Sequence, residues 1–329
     1  MTPAPQPAAE QPLRRRWGRV RFGYRANALM LFVGRHALWL AYVFVWFAAG
    51  YFFLTSGKAR RASGDYLARV FGRRNRLRRA WDTYRHMVVY GYLLLDRSVM
   101  LSAEGHGFVV QREGIEGMYA AAAQEGGLIL LSAHFGNAEA ALPFMERKMG
   151  SLLRERPIHM VMYQDLQDAT ERFHVHTRRL LAGMEIISTR DPLRAGVQII
   201  AALRGGAAVA IRADRSLEGK TLPVDFLGSP VRLPAGPFLA AALTGAPVVT
   251  VYTCRRGYRR YAVVLTFCGS YGEATAGSRD ERSARAAGDY ARSLETVVRR
   301  FPLQWGNFYD FWAATPPPDS GSPASSGSA

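Results

Sequence analysis

Short apolar segments that alternate with helical stretches are the feature of this 329-residue chain that most limits its fold. Runs typical of buried strands are followed repeatedly by stretches with helical periodicity. This alternation predicts an α/β fold, with a mostly parallel central sheet flanked by helices. The predicted strands are 127–133, 158–162, 207–211, 248–253 and 261–267, and helices are predicted within 59–110 and at 137–149, 168–182, 193–204 and 238–244.

The first of these strands leads directly to a group of polar side chains. His134 follows it directly, and Glu139 comes five positions later. Because residues i and i+5 of a helix point about 140° apart, a cooperating pair cannot both lie within it. We therefore expect His134 on the turn before the helix, Gly136 and Asn137 forming the turn and N-cap, and Glu139 in the first helical turn.

An apolar segment near the N-terminus, from His36 to Leu54, carries no charge other than that of a protonated His36. As a helix it would be about 28 Å long, close to the hydrocarbon thickness of a bilayer. Its aromatic side chains suit a helix lying within one leaflet equally well. A buried core helix is the third interpretation, and a cleaved signal peptide is disfavoured because the run is too long.

The charge of the chain is strongly positive, with a formal net value of +17. Arginines crowd both flanks of the apolar segment, which predicts contact with an anionic membrane surface. No recognised nucleic-acid-binding motif is present in the sequence, so we predict no nucleic-acid partner. Because both flanks are basic, charge does not fix the orientation of the segment.

Composition divides the chain into four parts. Residues 1–12 and 315–329 are predicted disordered tails, 13–57 a basic segment with the membrane anchor, and 58–314 a catalytic domain. Cys254 and Cys268 flank a stretch that suggests a hairpin. Two cysteines form neither a disulfide framework nor a metal cluster, so we predict no metal site and a reducing compartment.

The residues from His134 to Glu139 resemble the H-x4-D/E motif of the lysophospholipid acyltransferase superfamily, and most closely its bacterial lipid A biosynthesis (lauroyl/myristoyl) acyltransferase branch. The resemblance extends from about Trp17 to Trp312 and includes segments 60–67, 203–215, 224–228, 243–249 and 304–312 in the expected order. It implies a membrane-associated enzyme of lipid biosynthesis at the cytoplasmic face of the bacterial inner membrane. Its co-substrate would be acyl-ACP or acyl-CoA, its acceptor a lipid such as a lipid A precursor, and no further cofactor is expected.

Acyl transfer by direct attack requires a base for the acceptor, and histidine is the usual one near neutral pH. The resemblance makes His134 this base, and Glu139 the carboxylate that fixes its tautomer. The sequence contains no G-x-S-x-G nucleophile elbow, which agrees with direct attack. Backbone N–H groups near Gly136 are the expected donors to the oxyanion.

Substrate binding is expected from residues around this pair. Arg212, Asp214 and Arg215 follow a predicted strand, and should reach the same sheet edge as His134. They resemble a later superfamily block that binds the phosphate-bearing substrate, although Ala213-Asp214-Arg215-Ser216 replaces the acidic-Gly-Thr-Arg pattern of glycerolipid acyltransferases. The full predicted substrate-binding set is Gly136, Asn137, Tyr163, Gln164, Arg212, Asp214 and Arg215.

Two other functions remain open from the sequence. Aminoacyl transfer from a carrier protein to a lipid would use the same His134 and Glu139 pair with a smaller, polar donor pocket. A non-enzymatic lipid-binding or scaffold protein on this fold would tolerate loss of His134, whereas both enzymes would not.

Overall fold

The computed structural model describes residues 38–102, 107–138, 156–162, 184–215 and 219–312. The two predicted tails, the basic residues before position 38 and the predicted helix at 168–182 lie outside these ranges. So do Glu139, Tyr163, Gln164 and most of the predicted helix at 137–149.

Seven strands form one central sheet, in the order β1-β9-β8-β2-β5-β3-β4. Every neighbouring pair is parallel except β8 and β9, which form an antiparallel hairpin. The predicted mostly parallel sheet is therefore confirmed. Its strands are β1 Val109–Glu113, β2 Leu128–Ser132, β3 Ile158–Met162, β4 Met184–Ser188, β5 Ala208–Arg212, β8 Val248–Gly257 and β9 Arg260–Gly269, and a separate hairpin pairs β6 Thr221–Phe226 with β7 Ser229–Pro234.

Helices surround the sheet as the alternating pattern indicates. Within the described ranges, three precede the first strand, and the others lie between strands or after the last one. They are α1 Leu38–Thr55, α2 Gly57–Phe71, α3 Arg76–Ser102, α4 Ile115–Ala122, α5 Pro192–Arg204, α6 Gly236–Thr244 and α7 Arg279–Arg300.

Several elements differ from the sequence prediction, among them helix α4, which was not predicted. Residues 109–110, predicted to be helical, begin strand β1, which is more polar and more exposed than the inner strands. Strand β4 and the β6–β7 hairpin were not predicted either. Helix α7 was also missed, although Ser278 and Glu281 form the S-x-x-E capping box that marks a helix start.

The core has two layers because side chains alternate along the central strand β2. Ile129 and Leu131 pack on one face of the sheet with α5, α6 and α7, and Leu128 and Leu130 pack on the other face with Met118 of α4. Each fully buried side chain of this size contributes about 1.5–3 kcal/mol. This two-sided burial holds the ends of β2 and β5 rigidly in place.

Helix α1 confirms the predicted apolar helix and packs along α3. It is long and apolar enough to cross a membrane, and 28% of it is buried inside the protein. A Cβ on Gly91 of α3 would lie 2.6 Å from Cγ1 of Val45, so the two helices approach closely at this point. The buried face of α1 consists of Leu38, Ala41, Tyr42, Val45 and Ala49.

Candidate active site

The parallel pairing of β2 with β5 places two functional segments side by side. Ser132 is the register partner of Arg212, and the backbone N–H of Ala213 donates to the Ser132 carbonyl at 3.0 Å. Both strands end here, so the chain continues into His134 on one side and Asp214 on the other. This confirms that His134 lies on a turn and that the Arg212–Arg215 segment reaches the same sheet edge.

His134 is held by Asp214 through two hydrogen bonds. Its backbone N–H donates to Asp214 Oδ2 at 3.0 Å, and its Nδ1 lies 2.8 Å from Asp214 Oδ1. The Asp214 side chain has no exposed surface, whereas a third of the His134 side chain is exposed. The imidazole is therefore anchored from the interior and accessible from outside.

The electrostatics of this pair favour an ionised carboxylate. Burial alone would raise the pKa of Asp214, but hydrogen bonds and charge from His134, with a further hydrogen bond from Trp305, outweigh it and hold that pKa below its usual value. An ionised Asp214 can only accept hydrogen bonds. The proton of a neutral His134 therefore resides on Nδ1, and Nε2 keeps its lone pair.

The segment 304–309 closes the site from behind. The Trp305 indole N–H donates to Asp214 Oδ2 at 3.1 Å, and the Gly306 N–H donates to the His134 carbonyl at 2.7 Å. The Arg215 guanidinium donates to the Gly306 carbonyl at 2.5 Å and stacks on Tyr309. The indole hydrogen bond gives Trp305 a role beyond packing.

A second, buried histidine supports this segment. His86 Nε2 lies 2.8 Å from the Trp305 carbonyl, and its Nδ1 lies 2.7 Å from Ser63 Oγ. A carbonyl can only accept, so Nε2 carries the proton and Nδ1 accepts from Ser63. Burial, opposed only weakly by the Trp305 hydrogen bond, lowers the pKa of His86 to about 4, so it stays neutral at physiological pH.

Gly136 shapes the turn after His134. Its φ is +61°, and a Cβ would lie 1.9 Å from the Thr253 carbonyl oxygen, so no other residue fits here. Its N–H donates to the Gln304 carbonyl at 2.8 Å, and the Asn137 N–H donates to the Thr253 carbonyl at 3.0 Å. These N–H groups were expected to donate hydrogen bonds to the oxyanion, but in this conformation both already donate to backbone carbonyls.

A cleft of about 430 Å³ opens in front of His134. One wall is the turn from Ala133 to Ala138, which includes the predicted Gly136 and Asn137, and Arg212 also lines it. The opposite wall is helix α3, through Tyr90, Leu93, Leu94 and Arg97. The sequence reasoning missed this wall, although these residues recur at the three- and four-residue spacing that marks one helix face.

The predicted substrate-binding residues thus divide into three groups. Arg212 lines the cleft together with Gly136 and Asn137. Asp214 is fully buried and contacts His134 instead of the cleft, and Arg215 contacts the 304–309 segment. Tyr163, Gln164 and the predicted Glu139 lie outside the described residues, so their roles stay predictions.

The described part of the chain offers no ready site for a metal ion. No cluster of three His, Cys, Asp or Glu side chains with suitable spacing occurs there. Cys254 is buried and Cys268 is partly buried, and both are free thiols. Among the described residues, the polar side chains that line the cleft carry one imidazole, one amide, one phenol and two guanidinium groups.

Two comparisons with known proteins bear on the family of this chain. The family model for bacterial lipid A biosynthesis acyltransferases matches residues 96–313, which includes His134, Asp214 and Trp305. A phosphatidylinositol mannoside acyltransferase of Mycobacterium tuberculosis is 28% identical over 145 residues, covering 42% of each chain. The chain thus spans less than half the length of this curated relative. With two thirds of its residues matched by the model, the chain belongs to the bacterial lipid A biosynthesis acyltransferase family.

Proposed function

We propose that this protein transfers a fatty acyl group from a carrier thioester to a hydroxyl or amine of a lipid acceptor by direct attack. The observation that carries the proposal is the 2.8 Å contact between Nδ1 of cleft-lining His134 and the buried carboxylate of Asp214. The family supports acyl transfer in general. The donor, the acceptor and the residue roles are the proposed part.

The proton balance follows from the tautomer. Nε2 of His134 takes the proton of the acceptor hydroxyl or amine as its oxygen or nitrogen attacks the thioester carbonyl carbon. The resulting imidazolium is stabilised by the ionised Asp214. Collapse of the tetrahedral intermediate breaks the C–S bond, and the leaving thiolate receives the proton from Nε2, so the enzyme returns to its starting state.

This assignment changes the expected role of Glu139. Nδ1 of His134 has a single proton, and Asp214 already accepts it. We therefore propose that Glu139 does not fix the tautomer of His134. Its loss should therefore affect substrate binding more than the protonation of His134.

The substrates are proposed from charge and relationship. Arg97 and Arg212 line the cleft beside His134 and suit a phosphate or carboxylate on a substrate. The mycobacterial relative is named a phosphatidylinositol mannoside acyltransferase, and phosphatidylinositol mannoside is a phosphorylated lipid. Because acyl-ACP and acyl-CoA are cytosolic, either donor would place the catalytic domain at the cytoplasmic face of the membrane.

The test is acyl transfer to membrane lipids by the wild type and His134→Ala, with acyl-ACP and acyl-CoA supplied separately and products detected by lipid mass spectrometry. We expect a product one acyl unit heavier with the wild type, and a loss of about 10²- to 10⁴-fold in His134→Ala. His159→Ala is the matched control, because His159 lies on β3 of the same sheet beside Glu185 but does not line the cleft. Equal activity of the wild type and His134→Ala would reject His134 as the base.

A further inference from the structure

We propose that helix α1 lies in the plane of one membrane leaflet as a fixed part of the catalytic domain, with its exposed apolar face in contact with anionic lipid. The proposal takes from the proposed function only the idea of a lipid acceptor. It is argued from the contacts of α1 and tested without measuring acyl transfer.

Near its N-terminal end, α1 is held to the sheet by hydrogen bonds to a buried carboxylate. Asp96 of α3 accepts hydrogen bonds from Tyr42 of α1, from the Tyr261 hydroxyl at 2.6 Å and from Arg255 Nε at 3.0 Å. The Arg255 guanidinium also lies over the rings of Tyr42 and Tyr92, 5.1 and 4.9 Å from their centroids. Separating α1 from the domain would break this network and expose its charges.

Helix α3 accompanies α1 along its length. The Tyr84 hydroxyl donates to the Trp46 carbonyl at 2.9 Å, and Phe53 near the other end of α1 packs on the Tyr84 ring. If α1 crossed the bilayer, the adjoining part of α3 would have to cross with it. That part contains the exposed Arg85 and the cleft-lining Arg97.

A spanning arrangement is therefore energetically unfavourable. An arginine at the centre of a bilayer costs at least about 2.5 kcal/mol. The β8–β9 hairpin would also have to enter the hydrocarbon, because Tyr258 packs 5.4 Å from the Tyr42 ring. Its polar side chains and backbone belong in water or at the interface.

The outer face of α1 remains uncovered and apolar. It exposes 50% of Val43, 63% of Phe44, 72% of Phe47 and 75% of Leu54. Soluble surfaces rarely expose a contiguous apolar face of this kind unless it contacts a membrane or another protein. Helix α1 is apolar on every side, but the protein covers one side, so the uncovered side can be buried about 5–10 Å into the headgroup and acyl boundary.

Charge identifies an anionic bilayer as the occupant of this face. Within residues 38–102, Asp65 is the one exposed acidic residue, since Asp82 and Asp96 are buried. The exposed basic residues of this region would each gain about 1 kcal/mol near an anionic lipid surface. They are Lys58, Arg61, Arg73, Arg76, Arg78, Arg79 and Arg85.

The first experiment measures flotation of the full chain with vesicles of phosphatidylcholine, with and without phosphatidylglycerol. Phe44→Glu combined with Phe47→Glu should weaken binding at least tenfold, and added salt should weaken wild-type binding. The control is Leu193→Glu with Val197→Glu on α5, where the exposed fractions are 81% and 62%. Equal loss in both double variants, or wild-type self-association without vesicle binding, would overturn the proposal.

The second experiment measures depth with a fluorophore on cysteines introduced one at a time at positions 43, 47 and 54, after Cys268→Ser and with the buried Cys254 retained, using lipids that carry quenchers at two depths. These positions face the same side of α1 and extend over about 16 Å of helix. Equal, shallow depths would support the in-plane arrangement, whereas depths that change steadily along the helix or are greatest at position 47 would establish spanning and reject it. Acyl transfer measured separately in detergent would show whether the proposed function holds in either case.

Discussion

Two buried aspartates, Asp214 and Asp96, each receive three hydrogen bonds, but they serve different parts of the molecule. Asp214 accepts two from His134 and one from Trp305. Asp96 accepts from Tyr42, Tyr261 and Arg255. The carboxyl pKa is lowered at Asp214, whereas burial, the largest influence at Asp96, raises it despite the three donors.

The difference lies in the ionisable partner of each aspartate. Asp214 faces a histidine that can gain and lose a proton and is partly exposed to a cleft. Asp96 faces an arginine whose charge is permanent and whose side chain is largely buried. A buried aspartate that accepts three hydrogen bonds thus positions a base at one site and joins a helix to the sheet at the other.

The comparison is tested most severely by Asp214→Asn. The amide can donate to Nδ1 of His134 and so favour the tautomer in which Nε2 carries the proton. We expect acyl transfer to fall about 10²- to 10⁴-fold, as for loss of a general base. Because asparagine keeps the shape of aspartate and can still accept from the Trp305 indole, circular dichroism should show a folded protein. Activity close to wild type would show that Asp214 does not orient the base.

Asp96→Asn should act on stability instead. It leaves the guanidinium of Arg255 buried without a counter-charge, and such changes cost about 3–5 kcal/mol. Urea unfolding should show this loss, with the specific activity of the remaining folded protein largely retained. If Asp96→Asn abolished activity at unchanged stability, the division of roles between the two aspartates would be wrong.

His86 gives a pH test of the segment behind Asp214. Its pKa falls from 6.5 to about 4 on folding, and each pKa unit corresponds to about 1.4 kcal/mol. The unfolded chain binds more protons in this window, so a contribution of about 3 kcal/mol, present above pH 6.5, is lost as pH falls towards 4.

Urea unfolding at several pH values should show this slope in the wild type and a smaller one in His86→Gln. Glutamine can still donate to the Trp305 carbonyl, which favours folding of the variant. His159→Gln is the control and should keep the wild-type slope. An unchanged slope in His86→Gln would assign the pH dependence to other groups.

Trp305→Phe should produce the smallest effect. It removes the indole donor to Asp214 but keeps an aromatic ring, so we expect about a tenfold loss of activity. Without this donor the pKa of Asp214 should rise, which shifts the acid limb of the pH–rate profile to higher pH. Trp312→Phe is the control, because its buried indole nitrogen has no hydrogen-bond partner among the described residues. Equal profiles for the two variants would contradict the role of Trp305.

The sequence was sufficient to predict five of the seven strands of the sheet and the turn that carries His134. Alternating apolar runs determine parallel strands, and the ends of parallel strands meet at one edge, which brought Arg212, Asp214 and Arg215 to His134. The sequence could not show that Asp214 contacts Nδ1 of His134. This contact depends on the register of β2 with β5, and the two residues lie 80 positions apart in the chain.

Long-range contacts explain the other omissions. Trp305 lies 91 residues from Asp214, and nothing local distinguishes a core tryptophan from one that donates to a carboxylate. The cleft wall on α3 was missed for a different reason. Its apolar face was visible in the sequence, but which element it would face depends on how α3 packs against the His134 turn.

Helix α3 also affects the free energy needed to bring a lipid substrate to the cleft. The same helix packs along α1 and forms a wall of the cleft, where Leu94 is both cleft-lining and 42% exposed. With α1 in the leaflet, the cleft lies beside the membrane surface. A lipid could then present its headgroup to His134 while most of its acyl chains stay in hydrocarbon, avoiding an extraction cost of about 0.8 kcal/mol for each methylene group.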